Sequence, residues 1–150
     1  MNRTHARGFS LMELLVVVMI IAILAMIAYP SYTEYATRTK RSLAASLLAQ
    51  VANKQEQYYL DNKQYADDLA VDLNYPADPF YVDENGSKYA ATQVGVIYQI
   101  TLNRDSVSSY TLSAVPQGAQ AEQDTKCGTL SLTNTGVKGE TGTGGVSDCW

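Results

Sequence analysis

The sequence predicts an α+β protein in which one long N-terminal α-helix, hydrophobic in its first half and amphipathic in its second, packs on an antiparallel β-sheet. Three observations carry this. An unbroken apolar run occupies residues 14–28 without a charge. Residues 31–60 hold neither glycine nor proline, and apolar side chains recur there at three- and four-residue steps, the spacing of one helical face. Beyond residue 90, three segments alternate apolar and polar side chains with period two, as strands with one buried face do.

The 150 residues suit one domain of ordinary size, but their charge is unevenly spread. Charged residues make up 17% of the chain for a net charge of -4, and nearly all of the polar residues lie beyond Pro30. The acidic balance, with an isoelectric point near 4.8, argues against a general nucleic-acid binder, which would show a basic face. Arg38, Lys40 and Arg41 form a local basic patch, read here as a solvated or membrane-proximal helix face.

The N-terminus has three parts in order. Residues 1–8 are short and basic, with Arg3, His5 and Arg7; Gly8-Phe9-Ser10-Leu11-Met12-Glu13 follows; then comes the apolar run. From Phe9 to Tyr29 a helix rising about 1.5 Å per residue is roughly 31 Å long, and a bilayer core is about 30 Å thick. In lipid such a run satisfies its backbone only as a helix. Basic residues ahead of it stay in the cytoplasm by the positive-inside tendency. Everything after Pro30 then faces an oxidising compartment, where Cys127 and Cys149 are expected to pair. An ordinary secretory signal ends in a small-residue site, which Met26 and Ala28 match poorly. A plain anchor accounts for the length but not for Glu13. A carboxylate deep in a span costs on the order of 2.5–3.5 kcal/mol. A cut after Gly8 would offset that cost: Phe9 would gain a free amine one helical turn from Glu13, whose charge would sit near the positive end of the helix dipole. The alternative is a Glu13 that snorkels to the cytoplasmic interface.

Gly8-Phe9-Ser10-Leu11-Met12-Glu13 ahead of an apolar run resembles the class III signal of type IV prepilins and pseudopilins. The resemblance implies a pilin fold and removal of the 1–8 leader between Gly8 and Phe9 by a prepilin peptidase. It further implies N-methylation of Phe9 and a role for Glu13 in registering the subunit during assembly. Residues 9–30 would be a transmembrane, later filament-core, half-helix, and residues 31–150 a periplasmic, later extracellular, head. Loss of Arg3 and Arg7 takes the side-chain net charge from -4 to -6. Pro30 lacks the N–H that would reach the Met26 carbonyl and is expected to kink the helix, as the proline ending the apolar half does in pilins.

In the amphipathic half, Ala36, Leu43, Ala44, Leu47, Leu48, Val51 and Ala52 form the stripe expected on the sheet, with Lys40, Arg41, Gln50, Lys54 and Glu56 on the other face. The helix is expected to reach Tyr59. A tyrosine-rich loop over residues 57–69 follows, then turns over 70–91 marked by Pro76, Pro79 and Asp83-Glu84-Asn85-Gly86. Asp67, Asp68, Asp72, Asp78, Asp83 and Glu84 do not have EF-hand spacing and read as a solvated acidic surface, so no metal is expected. The strand candidates are residues 94–102, 109–115 and 129–133, with a hairpin loop over 103–108 and a turn at Asn134-Thr135-Gly136. Residues 139–145 are rich in glycine and threonine and should lack a core of their own. A Cys127–Cys149 bridge would tie this segment to the third strand, worth roughly 3 kcal/mol by loop entropy. A redox pair or metal ligation is disfavoured, because there is no C-x-x-C spacing and no nearby histidine.

The later residues resemble minor pilins of the PilE type and related DNA-uptake pilins. The resemblance rests on Gln57-Tyr58-Tyr59, the Asn62, Tyr65 and Asp68-Leu69 pattern, Tyr110 through Pro116, Cys127 through Leu132, and Cys149-Trp150. It implies that the disulfide encloses a D-region, 127–149. The implied role is a structural minor subunit of a type IV pilus that supports assembly and thereby adhesion, twitching motility or DNA uptake. Its partners would be other major and minor pilins, the prepilin peptidase, the inner-membrane assembly machinery and, before assembly, the lipid bilayer. A type II secretion pseudopilin is the neighbouring alternative; major pseudopilins usually bind calcium in place of a D-region disulfide. A DNA-capturing pilin is disfavoured by charge, since the D-region offers only Lys138, with Lys126 adjacent and Glu140 and Asp148 opposing. No cofactor and no enzymatic activity are expected: the one histidine, His5, lies in the leader, and no nucleophile–base pair is visible.

Overall fold

A computed structural model describes residues 9–150, apart from the side chain of Pro30. The chain divides into two compact units, one ending at Ala36 and one spanning Thr37–Trp150. Helix α1, Leu11–Asn62, supplies all of the regular structure described in the first unit and one layer of the second. Its assignment passes through Pro30, so the proline does not end the helix. It ends three residues later than expected: Lys63 adopts a left-handed backbone (φ 57°), and its N–H reaches the Tyr59 carbonyl at 2.8 Å. Asn62 Nδ2 and Lys63 Nζ donate to the carbonyls of Tyr58 and Leu60, closing last-turn acceptors that a helix end leaves open.

In the second unit a six-stranded sheet is antiparallel throughout. Its strands are β1 Phe80–Asp83, β2 Lys88–Tyr89, β3 Val96–Ser106, β4 Ser109–Pro116, β5 Leu130–Thr133 and β6 Lys138–Glu140, in the order β2-β1-β3-β4-β5-β6. Two short helices, α2 Gly118–Gln123 and α3 Val146–Cys149, complete it. Register follows from burial. Phe80 faces Ile100, Val82 faces Tyr98, Ile100 faces Ala114, and Leu112 lies between Leu102 and Leu132. A one-residue slip would turn these side chains to the other face. With Ala44, Leu47, Leu48 and Val51 of α1 they form one buried cluster, so the stripe read from the sequence is the helix face in the core.

The three expected strands are present, with β3 running on through part of the expected 103–108 loop and shifting register between Arg104 and Ser106. Strands β1 and β2 fall where only turns were expected; the turn Asp83-Glu84-Asn85-Gly86 is real and joins them. Asp83 Oδ1 accepts the N–H groups of Asn85 and Ser87, and Gly86 takes φ +81°. Part of strand β6 falls in the 139–145 segment expected to lack a core, and α3 follows directly after it. The segment is held by hydrogen bonds: Gly142 and Gly144 donate to the carbonyls of Cys127 and Lys126.

Leu48 is fully buried at the centre of the helix–sheet contact. Leu48→Ala should cost about 2–5 kcal/mol of head stability, the range for emptying such a site. Denaturant unfolding followed by circular dichroism measures it; a loss near zero would show that the stripe does not hold α1 on the sheet.

Candidate functional site

Two regions carry the features on which function depends. The first is the start of α1. Phe9 and Leu11 are 80% and 83% exposed, and each large apolar residue from Leu14 to Ile27 is about half exposed or more. Among the described residues of the first unit, none covers the apolar run. Glu13 lies in the first turn of α1 and is the only acidic residue between Phe9 and Tyr32. Ser10, just before the helix, and Glu13 have the spacing of a capping box, a local signal for the helix start. The same carboxylate therefore suits both a helix N-terminus and an amine at Phe9. Gly8 and the rest of the expected leader, residues 1–8, lie outside the described residues.

The second region is the disulfide-closed loop. Cys127 and Cys149 are bonded, 22 residues apart in sequence. The Gly128 N–H reaches the Asp124 carbonyl at 2.7 Å, and Trp150 Nε1 donates to the Gly139 carbonyl at 3.0 Å. Lys138 Nζ lies 5.1 Å from the Trp150 ring centre, and Lys126 pairs with Asp148 at 3.0 Å. Arg38, Lys126 and Trp150 share the rim of a cavity of about 290 Å³ beside the bridge.

Behind the loop lies a polar cluster that sequence reading did not find. Arg41, expected on a solvated face, is buried. Its Nε donates to Asp124 Oδ2 at 2.9 Å, its Nη2 to Oδ1, and its Nη1 to the Asp148 carbonyl at 3.4 Å. The Tyr98 hydroxyl donates to the same carboxylate, and Gln120 Nε2 bonds the Thr37 carbonyl, the Tyr98 hydroxyl and Asp124. Burial and then the Asp124 charge push the Tyr98 phenol well above its usual range. The cluster joins α1, α2, β3 and the end of the disulfide loop. Lys40 keeps the expected surface place, 3.5 Å from Glu84.

The acidic residues after α1 are exposed or half-buried, and several are also loop struts. Asp72 Oδ2 accepts the N–H groups of Asp67 and Asp68, Asp68 Oδ1 those of Ala70 and Val71, and Asp78 Oδ2 that of Leu69. Burial pushes the Asp78 carboxyl above its usual range. Among the described residues no group of side chains is arranged to hold a metal ion.

Comparison with known proteins places the chain. The family model of the type IV minor pilin ComP, DNA uptake sequence receptor, matches residues 30–131, and the prokaryotic N-terminal methylation motif matches residues 3–29. No curated protein sequence matches. Among solved structures, a type IV pilin from Shewanella oneidensis is 23% identical with a TM-score of 0.49, over 76% of this chain and 97% of that one. The chain belongs to the ComP family of type IV minor pilins, and it is a minor pilin subunit of a type IV pilus. The family is one of structural pilins, with pilin partners and processing by a prepilin peptidase.

Removing one partner of a buried pair strands the other charge, at about 3–5 kcal/mol. Asp124→Ala should lose about that much, whereas Arg41→Met with Asp124→Leu should lose clearly less. Thermal unfolding of the three proteins decides it; equal losses would show that the cost comes from packing and not from charge.

Proposed function

We propose that the chain is made with a leader cut between Gly8 and Phe9, is N-methylated at Phe9, and waits in the inner membrane with its N-terminus cytoplasmic and its head periplasmic. It then enters the pilus by burying its apolar half-helix among other pilins, in contact with the inner-membrane assembly machinery. The single observation that carries this is the apolar start of α1, bare along its length, with one carboxylate a turn inside it. Glu13 would pair with an amine at Phe9, its own or a neighbour's, which sets register while removing a charge from an apolar setting. Pro30 would bend the helix where the half-helix meets the head.

A second reading concerns the head. The family's description names a DNA uptake sequence receptor, and we propose DNA as the partner of the disulfide-loop edge. Lys126, Lys138, Arg38 and the Trp150 ring supply phosphate-binding charge and an aromatic face there. With a net charge of -6 after leader loss, such binding would be local and strongly salt-dependent.

Gly8→Val should leave the precursor uncut, and Glu13→Ala should leave insertion intact while cutting incorporation into sheared pili by an order of magnitude or more. Mass spectrometry of the subunit and immunoblots of sheared pili read these outcomes; a normally shortened Gly8→Val chain, or full incorporation of Glu13→Ala, refutes the corresponding step. Neutralising Lys126 and Lys138 together should weaken duplex binding and reduce the salt slope by up to about two. Fluorescence anisotropy across a salt series measures it, and an unchanged slope would place DNA elsewhere.

A further inference from the structure

Three tyrosines follow the apolar run at three-residue steps: Tyr29, Tyr32 and Tyr35. They are 73%, 71% and 70% exposed, although buried tyrosines elsewhere anchor the core of the head. All three lie in the unit that ends at Ala36. The steps are continuous with the apolar run, so whatever covers that run meets these rings at its edge.

A tyrosine is apolar along its ring and polar at its hydroxyl, and it concentrates where hydrocarbon gives way to headgroups. Such a ring at the end of a bare span fits the bilayer boundary. Local bonding agrees with this place: the Ser31 hydroxyl donates to the Ile27 carbonyl, so a polar side chain at the rim is satisfied within the helix.

Distance along the helix then links the two ends. From Glu13 to Tyr32 there are 19 steps, about 28 Å at 1.5 Å each, against a hydrocarbon core of about 30 Å. Centred on Tyr32, the tyrosines would leave Glu13 at the opposite boundary, within reach of water. Centred on Tyr29 they would draw it several ångströms into hydrocarbon; centred on Tyr35 they would push it out among the headgroups.

We propose that Tyr29, Tyr32 and Tyr35 form an interfacial belt whose partner is the headgroup region of the lipid bilayer, and that they are positioning residues for Glu13. The belt fixes the depth of the waiting subunit and holds Glu13 at the far boundary. The positioning of Glu13 rests on the assembly role proposed above; the depth itself does not.

The test uses the leader-cleaved chain in nanodiscs of phosphatidylethanolamine and phosphatidylglycerol, with Met12→Cys as reporter and the native disulfide intact. The rate of reaction with a membrane-impermeant maleimide reads the depth beside Glu13. Changing all three tyrosines to Leu lengthens the apolar run at its C-terminal end. The helix should then slide toward its N-terminal side by up to about one turn, roughly 5 Å, and label severalfold faster. Changing all three to Ser shortens the run, and labelling should be severalfold slower. Opposite shifts support the belt. Wild-type rates in both variants, or shifts in the same direction, overturn it. The measurement contains no assembly machinery, so its failure is separate from a failure of Glu13→Ala to impair pilus incorporation.

Discussion

A run of apolar residues that its own chain leaves bare has to be covered by something else, and the rest of this molecule is arranged around that demand. Each half-exposed aliphatic side chain along the start of α1 forfeits about half of the 1.5–3 kcal/mol that burying a fully exposed one returns. Over the whole run the sum is comparable to the stability of a typical domain. A bilayer and a bundle of like helices both supply the missing cover. Moving between them exchanges one apolar environment for another, so direct packing and charge placement decide the balance. That gives weight to Glu13, the one acidic residue between Phe9 and Tyr32: a charge distinguishes a membrane boundary from a protein neighbour as an aliphatic side chain does not.

The head solves a different problem. Its core is one helix stripe, one sheet face and the buried Tyr65, Leu69, Leu73 and Tyr75 of the loop between them, and the segment after β5 adds few apolar residues to it. Covalent and polar ties replace them. The bridge joins Cys127 to Cys149, glycine N–H groups bond back to Lys126 and Cys127, and Arg41 reaches from α1 to both Asp124 and the Asp148 carbonyl. A buried pair of this kind adds little net stability over an apolar substitute, but it tolerates few alternative placements. The loop is thereby held in one position on the head.

Much of this was legible beforehand, for physical reasons. Helix α1 announced itself through length, hydropathy and a stripe free of glycine and proline; β3, β4 and β5 through period-two alternation; and the N-terminal methylation motif over residues 3–29 through a short ordered run of residue types. Strands β1, β2 and β6 are four, two and three residues long, too short for alternation to register, and exist because longer neighbours offer them a ladder. Arg41 looked like a surface cation because its partner, Asp124, is 83 residues away, and no local pattern marks a charge that pairs across the fold. The acidic loop residues do lie at the surface, but composition did not show that Asp68, Asp72, Asp78 and Asp83 also brace the loops through single oxygens on backbone N–H groups.

The two margins of the sheet bear on how copies of this protein can meet. One margin is a two-residue strand and the other a three-residue strand with Trp150 bonded against it. Long open strands invite neighbours to add their own, and the resulting stacks are hard to dissolve. Here that route is closed off by brevity at one side and by a bulky indole at the other. Polymerisation is left to a helix, whose contacts come apart without breaking any backbone ladder. A fibre built that way has no backbone ladder between its subunits to break when they separate.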